Sequence, residues 1–357
     1  MRKKKIINDI LTRYSLDLSG LTILTEAATG DYAYTSVMAA LAGADKVYAI
    51  AKDSKYGTKL DIKESLLQIY KDCNINTIEV IEKPEKKYVE KCDIITNSGF
   101  VRPINNEMID CMKETAVIPL MFETWEFRSS DIDIQHCIKK QIPVLGTNER
   151  CNIINLFKGN GLLATKVLFE AGCEVFGNKI LIIGSGLIGQ YVQDYFDRNE
   201  IDNIRITFDK REQNNEKNII YSDGQTIFES FIFTPDAILI CEHVYNIPII
   251  SQFGIINCNT FHLLRDTIIC HICGSIDNRY ILNNGISIYP KDPAPFGYMS
   301  FHIGYLGPMH VLDLNCAGLK VGEIMARLRM SGLSYDDTIT EACKNELVMS
   351  FGEDYVE

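Results

Sequence analysis

The sequence predicts an α/β protein made of two doubly wound parallel-sheet domains in tandem, with a cleft between them. Three observations point there. Short apolar runs alternate with helical stretches from Leu21 to Val144, a second series of the same kind starts after Cys151, and Lys179–Val192 reads as a buried strand turning through glycines into a helix. At 357 residues and 46% hydrophobic content, the chain is long enough to bury two cores.

In the first series, LTILTEA leads into the helical YAYTSVMAALAGA. KVYAIAK, KLDIKESLLQIYKDC, TIEVIEK, CDIITNS, NNEMIDCM, AVIPLM, DIDIQHCIKK and IPVLG follow in the same alternation, and Gly43 and Gly146 stand where elements should end. In the second, IINLFKGNGLLATKVLFEAG reads as a long helix stopped near Gly172. The strands NKILIIG, NIRITFD, AILICE, TIICHIC and GISIYP come after it. HVLDLNCAGLKVGEIMARLRM is a further helix, with Val311, Leu312, Leu314, Leu319, Val321, Ile324, Met325 and Leu328 as its apolar positions. It is expected to return to the first domain. The expected division is therefore 1–150 plus 306–357 as the outer, substrate domain and 151–305 as the dinucleotide-binding domain. The charged run Lys210–Lys217 reads as a solvated excursion.

The chemistry centres on Gly184-Ser185-Gly186-Leu187-Ile188-Gly189. In a Rossmann-like turn the first glycine permits the bend, the second lets a pyrophosphate approach the backbone, and the third lets helix and strand pack closely. The amides that open the helix then face the phosphate charge. Asp209 ends the next strand, twenty residues past Gly189, where a carboxylate takes ribose hydroxyls. An acid there repels a 2′-phosphate, which favours NAD; Lys210 and Arg211 beside it leave room for NADP.

A net charge of -11 argues against a protein that grips nucleic acid through phosphates, and a small-molecule substrate fits better. Asn8 and Asp9 interrupt the apolar run behind the basic start, so no export signal is expected. No run approaches the roughly 18 apolar residues of a membrane span. The expectation is a cytoplasmic protein whose 12 cysteines are reduced thiols. Cys270-His271-Ile272-Cys273 has metal-like spacing, but no second pair completes a four-ligand set, so no metal is expected.

Two domains with the glycine motif in the second resemble the superfamily of D-2-hydroxyacid dehydrogenases, formate dehydrogenases and S-adenosylhomocysteine hydrolases. DIDIQHCIKKQIPVLGTNE is similar to the end of the dehydrogenases' substrate domain, and SIYPKDPAPF and SFHIGYLG to the stretches holding their acid and catalytic histidine. The resemblance thus implies Asp292 and His302 as the acid–base pair, Gly274 and Ser275 beside the nicotinamide, and a homodimer built on the second domain. One departure is clear. TIICHICGSID lacks the dehydrogenases' substrate-clamping arginine; Arg265 and Arg279 flank the position, and Arg102 or Arg128 of the first domain are substitutes.

Three further candidates come from their placement. His243, after AILICE, belongs at a carboxyl end of the second sheet, where ligands bind, and rivals His302. Glu26 precedes a Gly30 turn and a helix, in a segment similar to the nucleotide loop of methyltransferases; it is either a cleft carboxylate or a helix cap. Glu123 and Trp125, with Arg128, form an aromatic and charged loop suited to a substrate or to a subunit interface. The leading expectation is an NAD-dependent oxidoreductase for a small polar hydroxy or oxo substrate. Its rivals are a hydrolase-like enzyme with tightly held NAD and a non-catalytic dinucleotide sensor.

Overall fold

The computed structural model describes residues 2–154, 156–224, 234–261 and 264–352. The chain divides into two compact units, Met1–Asn155 with Pro308–Glu357, and Leu156–Gly307.

Unit 1 contains β1 (Thr22–Glu26), β2 (Lys46–Ile50), β3 (Ile78–Ile81), β4 (Ile94–Ile95), β5 (Ile118–Pro119) and β6 (Val144–Thr147). Its strands run in the order β3-β2-β1-β4, and a parallel bridge from Ile94 to Val117 carries the sheet on to β5 and β6. All these pairings are parallel; the C-terminal strand Val348–Met349 alone joins β6 antiparallel. The order reverses between β1 and β4, which makes their carboxyl ends the natural ligand edge.

The Pro308–Met330 helix belongs to this unit and opens on a proline, whose missing N–H costs nothing in a first turn. Small residues one turn apart bring it onto the sheet. A Cβ on Gly322 would stand 2.9 Å from Ile94 and 3.0 Å from Pro119, and one on Gly318 2.6 Å from the Met121 sulfur. The basic start, which as sequence spoke only to targeting, is the Arg2–Tyr14 helix. It buries Ile7, Ile10 and Tyr14 on one face, and its Arg13 pairs with the buried Asp313 of the long helix.

Unit 2 contains β7 (Ile180–Ile183), β8 (Asn203–Thr207), β9 (Ile219–Tyr221), β10 (Ala237–Cys241), β11 (Pro248–Ile250), β12 (Ile268–Cys273) and β13 (Ser275–Ile276). Its main sheet is parallel, in the order β12-β10-β7-β8-β9, and reverses between β7 and β10. Both of those strands are buried along their whole length, which explains their unbroken apolar sequences. The Gly186–Arg198 helix covers β7 with Ile188, Val192 and Phe196, and it meets the Asn160–Glu170 helix where Gly161 faces Tyr195. GISIYP forms no strand: a single bridge joins Tyr289 to Cys270, and Pro290 has no N–H with which to continue a ladder.

Candidate functional site

The glycine corner lies at the carboxyl end of β7, at the reversal point of unit 2. Each glycine is required by contact. A Cβ on Gly184 would meet the Cys241 sulfur at 2.7 Å, and one on Gly189 would meet the Gly184 carbonyl oxygen at 2.3 Å. Gly186 has φ +66, and a Cβ there would meet Val244 Cγ2 at 2.7 Å and His243 Cε1 at 3.1 Å. His243 thus borders the corner. Leu187 and the buried Ile188 open the helix, and no side chain of the N-cap Ser185 caps it.

Ser185 faces inward. Its hydroxyl accepts from Phe208 N at 2.9 Å and lies 3.3 Å from Thr207 Oγ1. Its amide donates to Glu242 Oε2 at 2.7 Å, while Glu242 Oε1 accepts from the Val244 and Tyr245 amides at 2.7 and 2.8 Å. Glu242 is fully buried at the end of β10. A second carboxylate comes from the segment expected to be a solvated excursion. Glu212 accepts from Gly186 N at 3.0 Å, from the buried Arg205 at 2.7 Å and from Thr207 Oγ1 at 2.9 Å. Arg205 is held in turn by Gln193 Oε1 and the Gly184 carbonyl.

Asp209 follows β8, where the motif requires it, and accepts from the amide and guanidinium of Arg211 at 2.6 to 3.1 Å. The Arg211 hydrogen bonds hold its carboxyl down at about 2. Arg211 and Lys210 are exposed. The corner fits a dinucleotide at its glycine backbone, at the Leu187 and Ile188 amides and at Asp209. At the Ser185 and Gly186 amides, such a ligand would meet Glu242 and Glu212.

Gly274 closes β12 with φ +143, packed on Ile240 and Ile249, and Ser275 opens β13. His302 is exposed and caps the Ile303–Leu306 turn, its Nδ1 accepting from Gly304 N at 3.1 Å. Asp292 is exposed too, and no hydrogen bond or ion pair joins it to His302, so the implied acid–base couple is not formed as a pair. His271 of the Cys270–Cys273 segment is fully buried. It contacts Ser300 Oγ at 2.7 Å and the Gly274 carbonyl at 3.3 Å, and burial lowers its pKa to about 4. Among the described residues, no group of His, Cys, Asp and Glu is arranged to hold a metal ion.

In unit 1, Glu26 ends β1, is buried, and accepts from Phe100 N at 3.1 Å. Burial raises its pKa, against hydrogen bonds from the Phe100 and Gly99 amides and the charges of Arg102 and Lys52. Arg102 pairs with Asp131 at 2.7 Å and lies over the Phe122 ring. Glu123 is buried and accepts from Trp125 Nε1 at 2.5 Å, while the Trp125 ring is half exposed and Arg128 is exposed. Sequence reasoning missed Glu242, Glu212, Arg205 and Glu149. The one signal available was a position just past a strand end for Glu242 and Glu149 and, for Arg205, a charge inside an apolar strand; Glu212, in the turn after β8, had none.

No family model matches the sequence, and no curated relative matches it. Solved structures do resemble the fold. The A chain of dipicolinate synthase from Bacillus subtilis superposes with a TM-score of 0.52 at 11% identity, covering 89% of this chain and 98% of that one. The corresponding dipicolinate synthase chain from Bacillus halodurans gives 0.50 at 11%, covering 87% and 98%. A D-lactate dehydrogenase from Treponema pallidum superposes at 0.48 and 11%, covering 86% and 97%. By its own strand orders the chain has an α/β fold of two parallel-sheet units, each with the order reversed beside its first strand. In particular, it has the fold of the dipicolinate synthase A chain.

Proposed function

We propose that unit 2 binds a nicotinamide dinucleotide, NAD in preference to NADP, and that the protein is an oxidoreductase for a small polar hydroxy or oxo substrate. The observation that carries this reading is the glycine corner at a sheet reversal with Asp209 two residues past the end of the neighbouring strand β8. When bound, the cofactor supplies a hydride acceptor or donor. The chain supplies the rest. Gly184, Gly186 and Gly189 keep the backbone open to a phosphate, the amides of Leu187 and Ile188 offer donors, and Asp209 offers acceptors to ribose hydroxyls.

His302 suits proton transfer. Its Nδ1 accepts a backbone amide, which fixes the tautomer and leaves Nε2 to carry the proton. His243 is the alternative, because it borders Gly186. Arg102 is engaged by Asp131, which makes Arg128 the better substrate anchor of the two. The reading extends to an outer domain of 1–150 plus 306–357, a homodimer built on the 151–305 domain, and a cytoplasmic protein. No helix among the described residues is long and apolar enough to cross a membrane.

Titration calorimetry tests the cofactor. NAD should bind more tightly than NADP, and Asp209→Ala should weaken NAD binding at least tenfold. Absence of heat with either dinucleotide, or unchanged affinity in Asp209→Ala, would refute the reading.

A further inference from the structure

The adjacent strands β4, β5 and β6 of unit 1 lead into three buried polar side chains: Asn97, Glu123 and Glu149. Asn97 is fully buried, and neither its amide nitrogen nor its oxygen has a hydrogen-bond partner; Glu123 is 1% exposed and its Oε1 has none. Buried polar atoms in folded proteins are nearly always paired, so orphans on neighbouring strand ends mark a place built for something else to bind.

The charges say what kind of ligand. Glu149 is buried, and the charged groups acting on it are Glu126 and Glu123, both negative; burial first and then these two raise its pKa. Desolvation and Glu123 raise Glu126 as well, with Arg128 and Arg102 opposing. Arg150 Nε stands 3.5 Å from Glu123 Oε1 and makes no hydrogen bond to it, and the Arg150 side chain is 60% exposed. Arg150 stands against Glu123, and Arg128 and Arg102 act on Glu126, so of the three acids on this sheet edge Glu149 alone is buried with no cation acting on it. A metal is a poor answer, since no metal-holding group is present among the described residues.

We propose that this edge of unit 1 binds an organic ammonium group, seated between Glu123 and Glu149 and against the Trp125 ring. An alkylammonium brings three N–H donors and one positive charge, which match the unpartnered oxygens Glu123 Oε1 and Asn97 Oδ1 and the unopposed acid Glu149. The half-exposed indole, tethered through Nε1 to Glu123, adds a cation–π face. Combined with the proposed oxidoreductase, and resting on that reading, the site makes the substrate an amine-bearing one. The ammonium site itself needs unit 1 alone.

Trp125 is the only tryptophan in the chain, so its emission reports the site directly. The full chain is titrated with n-butylammonium chloride, sodium butyrate and magnesium chloride at constant ionic strength, without dinucleotide. A saturable change is expected with n-butylammonium only, with its midpoint raised at least tenfold in Glu149→Gln and about threefold in Glu126→Gln. Circular dichroism checks that each variant is folded; if Glu149→Gln is not, the exposed Glu126→Gln decides. An unsaturable response, an equal response to butyrate or magnesium, or midpoints unchanged in the folded variants would overturn the proposal. Failure here leaves the dinucleotide reading of unit 2 intact, and failure to bind NAD leaves this site intact.

Discussion

Replacing Glu242 by Gln tests whether a buried carboxylate holds the glycine corner together. The wild-type side chain accepts three amides, from Ser185, Val244 and Tyr245, at 2.7 to 2.8 Å. Glutamine has nearly the same shape but one acceptor. Its oxygen can keep the Val244 and Tyr245 bonds, and its NH2 must then face the Ser185 N–H, donor to donor. One charge-assisted bond is lost, about 1.5–3 kcal/mol, and a buried amide is left unpaired, about 1–3 kcal/mol. Relief from burying a charge offsets part of this. A net loss of about 3 kcal/mol is expected, read as a fall of about 1.5 M in the urea midpoint of far-UV circular dichroism if the slope is about 2 kcal/mol/M. The same change frees the Ser185 amide and removes a negative charge, so NAD affinity should rise as stability falls. A midpoint shift below about 0.3 M would refute the structural role, and NAD affinity unchanged or lower in the folded variant would refute the competition.

Two further outcomes are expected. Gly189→Ala would put a methyl 2.3 Å from the Gly184 carbonyl oxygen and push the Gly186–Arg198 helix off β7, costing about 1–3 kcal/mol by thermal melting and abolishing NAD heat; a melting curve equal to wild type would exclude that close approach. His271, with its pKa lowered by burial to about 4, is neutral in the fold, so its contribution is present above the unfolded value near 6.5 and is lost as pH falls through 4. That is about 3 kcal/mol across the window, and His271→Asn should flatten the pH dependence of the urea midpoint; parallel curves for variant and wild type would show that the imidazole does not titrate this way.

The architecture was legible because its strongest signals are local. β7 and β10 are apolar on both faces and read as strands without partners, and a glycine corner requires nothing beyond its own spacing. The Arg2–Tyr14 helix was overlooked for a physical reason: its basic first turn resembles a leader, although Ile7, Ile10 and Tyr14 already showed helical spacing. The site was less legible. Glu242 and Glu212 lie 57 and 26 residues from the Ser185 and Gly186 amides of the corner, so only the folded sheet brings them together. Asp209 stood where its spacing placed it, but its partner Arg211 was weighed only as a phosphate ligand, whereas in the fold it neutralises the acid. No spacing rule marks Glu149, because it is the pairing of β5 with β6 that sets it beside the segment carrying Glu123.

The long Pro308–Met330 helix has a consequence for synthesis. Every strand of the β12-β10-β7-β8-β9 sheet comes from one uninterrupted stretch, whereas the N-terminal half's apolar surface around Ile94, Pro119 and Met121 is covered by residues made much later. As the polypeptide leaves the ribosome, the middle of the chain has all its parts while the beginning still waits for its lid. The first half to be translated is thus the last to be completed, and its uncovered face is the one a nascent chain must keep from aggregating.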